Sequence, residues 1–161
     1  MEESDDLRKM LFMRPAIRKD MAEITRLVKQ LELDSLHMHA KEFIVTRHIN
    51  GVLVGCARLK PLGWDFYELA SVAVDQDYRR IRVGWNLIEA LLHHRQGLRD
   101  IRLRGVWAIC EKKDYNFFAH HGFLPCREWF WPRSLDAKIK QCGEKYGEAD
   151  LLVIHYGSLS L

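Results

Sequence analysis

Arg79, Arg80 and Arg82 crowd the turn Arg79-Arg80-Ile81-Arg82-Val83-Gly84, which follows the apolar run Ser71-Val72-Ala73-Val74 and leads into a helical pattern beginning near Val83. The first N–H groups of a helix have no partner inside it and sit at the positive end of its dipole. A helix start beside three guanidinium groups is therefore a natural cradle for pyrophosphate. Gly84 would let backbone and phosphate approach closely. On spacing alone, an ordinary surface turn with scattered arginines explains the same residues equally well.

Other chemistry-bearing residues are less organised. Cys56, Cys110, Cys126 and Cys142 form no C-x-x-C pair, which argues against a zinc site or a redox motif, and they read as reduced packing thiols. His37 and His39 and the doublets His93-His94 and His120-His121 lack Asp or Cys partners at ligand spacing, and adjacent helical residues point about 100° apart. They read as surface residues, and no metal is expected.

The elements that must position the turn follow from periodicity. Leu11 to Ala16 reads as a strand with Pro15 near its edge. A helix then opens at Asp20, with Glu23 completing a capping box and Met21, Ile24, Leu27, Val28 and Leu31 on its inner face. Asp34 to Lys41 reads as a short helix or a binding loop. Phe43–Ile49, Asn50-Gly51 and Val52–Leu59 form a hairpin signal with a type I′ turn. Phe66–Val74 follows the Pro61–Asp65 connection and completes a three-stranded meander.

After the basic turn, Gly84, Leu87, Ile88, Leu91 and Leu92 share a helix face that Gly97 closes. Ile101–Ile109 reads as a strand, Asp114–His121 as a short helix stopped by Gly122, and Phe123 as the start of another strand. Ser134 is the expected N-cap of a helix through Lys140, and Leu151–Tyr156 the last strand. This order predicts an α/β (α+β) domain spanning residues 1–161, with a mixed, mostly antiparallel sheet of about six to seven strands and helices on both faces.

The chain has 161 residues, 48% of them apolar, enough for one core without staples. A formal charge of +3 is too small to demand a nucleic-acid partner. No run approaches the roughly 18 apolar residues of a membrane span. The acidic start Met1-Glu2-Glu3-Ser4-Asp5-Asp6 is unlike a signal peptide, so a cytoplasmic location is expected.

With strand, basic turn and helix in this order, the sequence resembles the GNAT family of N-acetyltransferases, whose acyl-CoA motif reads Arg/Gln-x-x-Gly-x-Gly/Ala after such a strand. Arg79, Gly84 and the strand match. Arg82 stands where the family usually has its first glycine and Ile81 where it often has glutamine, so the Arg82 side chain would supply charge where close backbone contact is lost. Phe117-Phe118-Ala119-His120-His121-Gly122-Phe123 is similar to the later F-Y-x-x-x-G-F motif that closes the cofactor groove. The likeness runs from Leu11 to Cys126.

The resemblance implies acetyl-CoA as co-substrate, held by Val72, Ala73, Val74, Arg79, Arg80, Ile81, Arg82, Val83, Gly84, Trp85 and Phe118. The strand ending in Val74 would splay from the one ending near Ile109 to admit the pantetheine arm, and an N–H near Val72 would polarise the thioester carbonyl. Acyl transfer to an amine needs a base, for which Glu68 on the same strand is the candidate, with plain solvation or an arginine partner as the alternative. The family's tyrosine acid is replaced by Phe118, leaving water or Tyr115 to protonate the thiolate, although plain packing is the commoner role for a tyrosine such as Tyr115.

Glu68–Val74 and Val54-Gly55-Cys56-Ala57-Arg58-Leu59 are most similar to N-acetylglutamate synthases and related amino-acid acetyltransferases, which implies a small amine acceptor such as glutamate. A threonine pair expected before the later motif is replaced by Glu111-Lys112. Arg58 or Lys112 could hold an acceptor carboxylate, the alternative being solvated strand-edge residues. The five tryptophans could shape a pocket or simply pack, and Trp129-Phe130-Trp131-Pro132 could cover a homodimer surface. The competing readings are a silent acyl-CoA-binding module and an interaction scaffold on the same fold.

Overall fold

The computed structural model describes residues 2–94 and 105–157. In chain order its elements are α1 (Glu2–Lys9), β1 (Leu11–Pro15), α2 (Met21–Gln30), β2 (Phe43–His48), β3 (Leu53–Gly63), β4 (Phe66–Val74), α3 (Val83–Glu89), β5 (Gly105–Glu111), α4 (Tyr115–Ala119), β6 (Leu124–Pro125), α5 (Asp136–Tyr146) and β7 (Leu151–Tyr156). The strands form a seven-stranded sheet in the order β1-β2-β3-β4-β5-β7-β6. β4 and β5 run parallel, with a register from Phe66↔Gly105 to Glu68↔Trp107. The β1–β2, β2–β3, β5–β7 and β6–β7 pairs are antiparallel. This is the mixed, mostly antiparallel architecture that the periodicity predicts.

Among the described residues, those up to Leu59 and from Ala70 to His94 make one compact unit, and Lys60–Leu69 with those from Gly105 onward make another. In the first, α2 buries Ile24, Leu27 and Val28 in a cluster that includes Phe43, Val45 and Cys56. Gly55, the strand neighbour of Cys56, faces the other way, because successive side chains alternate. A Cβ there would lie 2.9 Å from the Ala73 carbonyl oxygen, 3.1 Å from Val83 Cγ1 and 3.3 Å from Leu87 Cδ1. The absent side chain is what lets α3 settle on β3, so helices cover both faces. In the second unit Trp107, Leu135 and Val153 form the core, and Phe66 meets the Trp107 ring edge-on at 5.3 Å.

Several local expectations are corrected. Asp20 does not cap α2 through its side chain. It is buried and accepts from the Ile17 N–H (2.7 Å), both Arg14 Nη atoms (2.6 and 2.8 Å) and Arg47 Nη2 (2.6 Å), while Glu23 accepts from Arg47 Nη2 at 3.0 Å. Ion pairing with two arginines has displaced the capping box. Arg47 also donates to the Gly51 carbonyl at 2.6 Å, tying down the β2–β3 turn.

That turn is not type I′. Gly51 has φ 95° but Asn50 is absent from the left-handed residues, and the Gly51 N–H donates to the His48 carbonyl at 2.8 Å. A three-residue loop ending in a left-handed glycine is the type I turn with a bulge, the next most common hairpin connection. β3 runs on to Gly63, narrowing the expected connection to a turn around Trp64 and Asp65.

Ser134 is not the cap of α5. Its hydroxyl donates to the Leu62 carbonyl at 3.4 Å, and a 3₁₀ turn, Arg133–Leu135, precedes the helix. α1 was not anticipated, because its polar sequence carries no apolar stripe, although Arg8 and Lys9 pair with Asp5 and Asp6 one turn earlier. Gly97 and the expected strand start at Ile101 lie outside the described residues.

The Asp20 cluster makes a testable demand. Burial opposes ionisation of its carboxyl, yet the bonds from Arg14, Ile17 and Arg47 outweigh this and hold it well below the usual carboxylate range. A depressed native pKa stabilises the fold above the unfolded value of about 4 and loses that contribution as pH falls below it. Asp20→Asn should cost about 3 kcal/mol at neutral pH, since half-buried Arg14 loses its carboxylate and buried Arg47 keeps only that of Glu23. Urea unfolding should show the gap from wild type closing as the pH drops below about 4.

Candidate acyl-donor site

In the first unit the β4–α3 connection is built by short-range bonds. The Asp75 N–H donates to the Val54 carbonyl at 2.8 Å, anchoring the end of β4 to β3. The Asp75 carboxylate then accepts from the Asp77 N–H at 2.9 Å, and the Tyr78 N–H donates to the Asp75 carbonyl at 3.0 Å, which closes a 3₁₀ turn over Gln76–Tyr78. Ile81 and Val83 are buried, so their side chains are spent on the core and only their backbones can face a ligand. With both neighbours pinned, Arg79, Arg80 and Arg82 are driven outward and are exposed.

The backbone there is unusual. Arg80 (φ 65°) and Arg82 (φ 68°, ψ 21°) are left-handed, and Arg82 directly precedes α3. The Asn86 N–H donates to the Arg82 carbonyl at 2.9 Å, starting the helix. The Arg82 guanidinium lies 5.4 Å from the centroid of the Trp85 ring, a cation–π contact. Arg79 Nε donates to the Val74 carbonyl at 3.4 Å. Gly84 and Trp85 are half-buried in the first turn of α3, and the helix continues past Glu89 as a π turn, Ala90–His94.

β4 carries a second irregularity. Ser71, buried in mid-strand, has φ 53°. A left-handed residue inside a strand interrupts the ladder and leaves the local backbone groups turned aside. Its hydroxyl donates to the Asp34 carbonyl (2.6 Å) and accepts from Arg58 Nε (3.1 Å).

Arg58 corrects the sequence reading. It is neither solvated nor open to an acceptor carboxylate. It is 0% exposed and pairs with Asp34 Oδ2 and Glu42 Oε2, both at 3.3 Å. The guanidinium also donates to the Leu36 carbonyl (3.1 Å) and lies 5.6 Å from the Phe43 ring centroid. The sequence signal was available: β3 is buried from Leu53 to Leu59 without alternation, and a lone arginine in such a run must have partners. Lys112 is exposed.

In the second unit Glu68 is buried, and Lys138 of α5 donates to its Oε1. Sequence reasoning missed that lysine, because 70 residues separate the two. The Tyr115 hydroxyl donates to the Phe123 carbonyl at 3.1 Å, so its proton is already engaged. Phe118 packs edge-on against Phe117 (5.3 Å) and Phe123 (5.9 Å). His121 departs from the expected surface role: it is buried, with its ring edge-on to Phe117. Trp107 packs in the core, whereas Trp64 and Trp129 are exposed.

Thiol chemistry is suppressed at the two buried cysteines. Burial pushes the Cys56 thiol up to about 12, against weaker opposing effects of the Ala73 backbone and Arg58, and the Cys110 thiol up to about 11. Both are protonated at neutral pH and are poor nucleophiles.

The sequence model of the Acetyltransferase (GNAT) family matches residues 8–123. Among solved structures, the chain is similar to N-acetylglutamate synthase from Neisseria gonorrhoeae complexed with coenzyme A and N-acetyl-glutamate, at 24% identity and a TM-score of 0.72 over 90% of this chain and 34% of that one. It therefore spans about a third of that synthase. Rv2747 from Mycobacterium tuberculosis, solved in complex with CoA, matches at 23% identity and a TM-score of 0.69, covering 92% of this chain and 99% of that one. The ribosomal-protein-S18-alanine N-acetyltransferase from Escherichia coli matches at 14% identity and a TM-score of 0.61, over 94% and 99%. No curated protein sequence matches.

The left-handed turn at Arg82 sets a measurable preference. Arg82→Ala and Arg82→Gly both lose the contact with Trp85, but only glycine takes φ near 68° without a Cβ penalty. The glycine variant should be the more stable of the two by about 1 kcal/mol in thermal or urea unfolding. Equal stabilities would mean that the turn relaxes.

Proposed function

Because the chain belongs to the GNAT acetyltransferase family, we propose that it transfers the acetyl group of acetyl-CoA directly to the amine of a small molecule, with amino acids such as glutamate as the acceptor class. The observation that carries this reading is the backbone of Arg82. The family motif has its first glycine at this position, and the arginine here holds a glycine-like conformation, φ 68° and ψ 21°. The turn can thus aim its N–H groups at a pyrophosphate as the motif requires, with Arg79 and Arg80 adding charge. The amino-acid acceptor is motivated by the synthase that shares the fold and was crystallised with coenzyme A and N-acetyl-glutamate.

In this reading the pantetheine arm runs along Val72–Val74, and the Val72 N–H polarises the thioester carbonyl as negative charge grows on its oxygen. Glu68 accepts the proton of the incoming ammonium, directly or through a water, exchanging Lys138 for the acceptor in doing so. The neutral amine attacks the carbonyl carbon, the adduct's nitrogen passes its second N–H proton to water, the C–S bond breaks, and the thiolate leaves. A thiol of pKa about 8.5 is a fair leaving group. With the Tyr115 proton engaged on Phe123, water is the simplest donor to the sulfur. Protonated Cys56 and Cys110 favour one direct step over a cysteine-bound intermediate.

One observation favours a second reading, acyl-CoA binding without turnover: Lys138 already occupies the carboxylate of Glu68. Calorimetry with acetyl-CoA, combined with thiol release in the presence of an amino-acid panel, separates the two. Binding with amine-dependent release supports the enzyme; binding without release supports the silent module. Glu68→Gln should lower kcat about a hundredfold with acetyl-CoA affinity nearly intact, whereas Arg79→Ala should weaken affinity first. Equal losses of affinity in both variants would contradict these roles.

A further inference from the structure

Ser71 stands in β4 directly before Val72 and holds a left-handed backbone, φ 53°, that costs a non-glycine residue about 1–2 kcal/mol. Such strain persists only where surrounding contacts impose it. The contacts here are explicit. Arg58 Nε donates to Ser71 Oγ at 3.1 Å, and Ser71 Oγ donates to the Asp34 carbonyl at 2.6 Å. Arg58 is itself fixed by the Asp34 and Glu42 carboxylates at 3.3 Å and by the Leu36 carbonyl at 3.1 Å.

A wholly buried guanidinium cannot shed its proton and must keep these partners, so it has one position. Packing alone asks for none of this: an aliphatic residue at position 58 would fill β3 more cheaply. The distinctive result of the network is the backbone of Ser71. We propose that Arg58 is a positioning residue for acyl transfer, holding Ser71 left-handed so that the Val72 N–H points off the ladder toward the thioester carbonyl. The inference rests on the acetyl-transfer reading above. It adds a residue outside the acyl-CoA motif whose effect on catalysis is exerted wholly through the backbone of β4.

Lysine at position 58 retains the charge for Asp34 and Glu42 but lacks the fork that also reaches Ser71. Arg58→Lys should lower kcat by at least about tenfold, because the carbonyl loses part of a donor that acts in the transition state. The dissociation constant for CoA, which is set by the Arg79–Gly84 turn, should change less than about threefold. A direct readout is the ¹³C carbonyl resonance of bound [1-¹³C]acetyl-CoA, whose downfield displacement in wild type should shrink in the variant. Adding Ser71→Gly should recover much of the loss, since glycine adopts this backbone unaided. If Arg58→Lys does not fold, Ser71→Ala removes the hydroxyl link without touching the buried charge and should show the same split.

A wild-type carbonyl shift and kcat in a folded Arg58→Lys or Ser71→Ala protein would overturn the proposal. So would an equal loss of CoA affinity and kcat, or a double variant no better than Arg58→Lys alone. These outcomes leave the acetyl-transfer reading intact. Failure of the wild-type protein to bind acetyl-CoA removes both.

Discussion

A guanidinium with no access to solvent organises the first unit. Arg58 projects from the fully buried stretch of β3, and its charge must be matched by partners brought from elsewhere in the chain. Asp34 and Glu42 supply them, which fastens the segment between α2 and β2 to the sheet. Ser71 completes the set, and its hydroxyl bonds require a left-handed residue inside β4. One buried charge thereby sets the course of a loop and the shape of a strand. The same strand goes on to form the turn that carries the exposed arginines.

That turn shows backbone geometry maintained where residue type has changed. Ile81 and Val83 are buried on either side of Arg82, so the path between them is fixed by apolar packing and the residue in the middle must accept φ 68°. Glycine would do so freely; arginine does so at a cost and in return presents a guanidinium at the start of α3, steadied by Trp85. Gly55 works in the same direction one layer below. Without its side chain, α3 can pack close to β3 and to the Ala73 carbonyl.

Much of this was legible in the sequence, for physical reasons. β4 and β7 were bounded correctly because their apolar runs end in turn-forming residues, and α2 and the start of α3 were placed because their stripes are unambiguous. The strand, turn and helix of residues 71–85 were legible because local order defines them. What escaped was set by distance along the chain. Lys138 meets Glu68 across 70 residues, and Arg58 of β3 meets Asp34 and Glu42 in the segment that precedes β2. No periodicity encodes such pairs. Asp20 was misread for a related reason: a helix-capping pattern is local, but two arginines competed for the same carboxylate.

The central claim is a direct passage of an acetyl group from a thioester to a free amine. The most direct measurement incubates the protein with [1-¹⁴C]acetyl-CoA and an amino-acid mixture, then separates protein, coenzyme and small-molecule fractions over a single turnover. The expected result is label leaving the coenzyme and appearing on a small amine in equal amounts, with none retained by the protein. Label trapped on the protein, or remaining wholly on the coenzyme, would contradict the account.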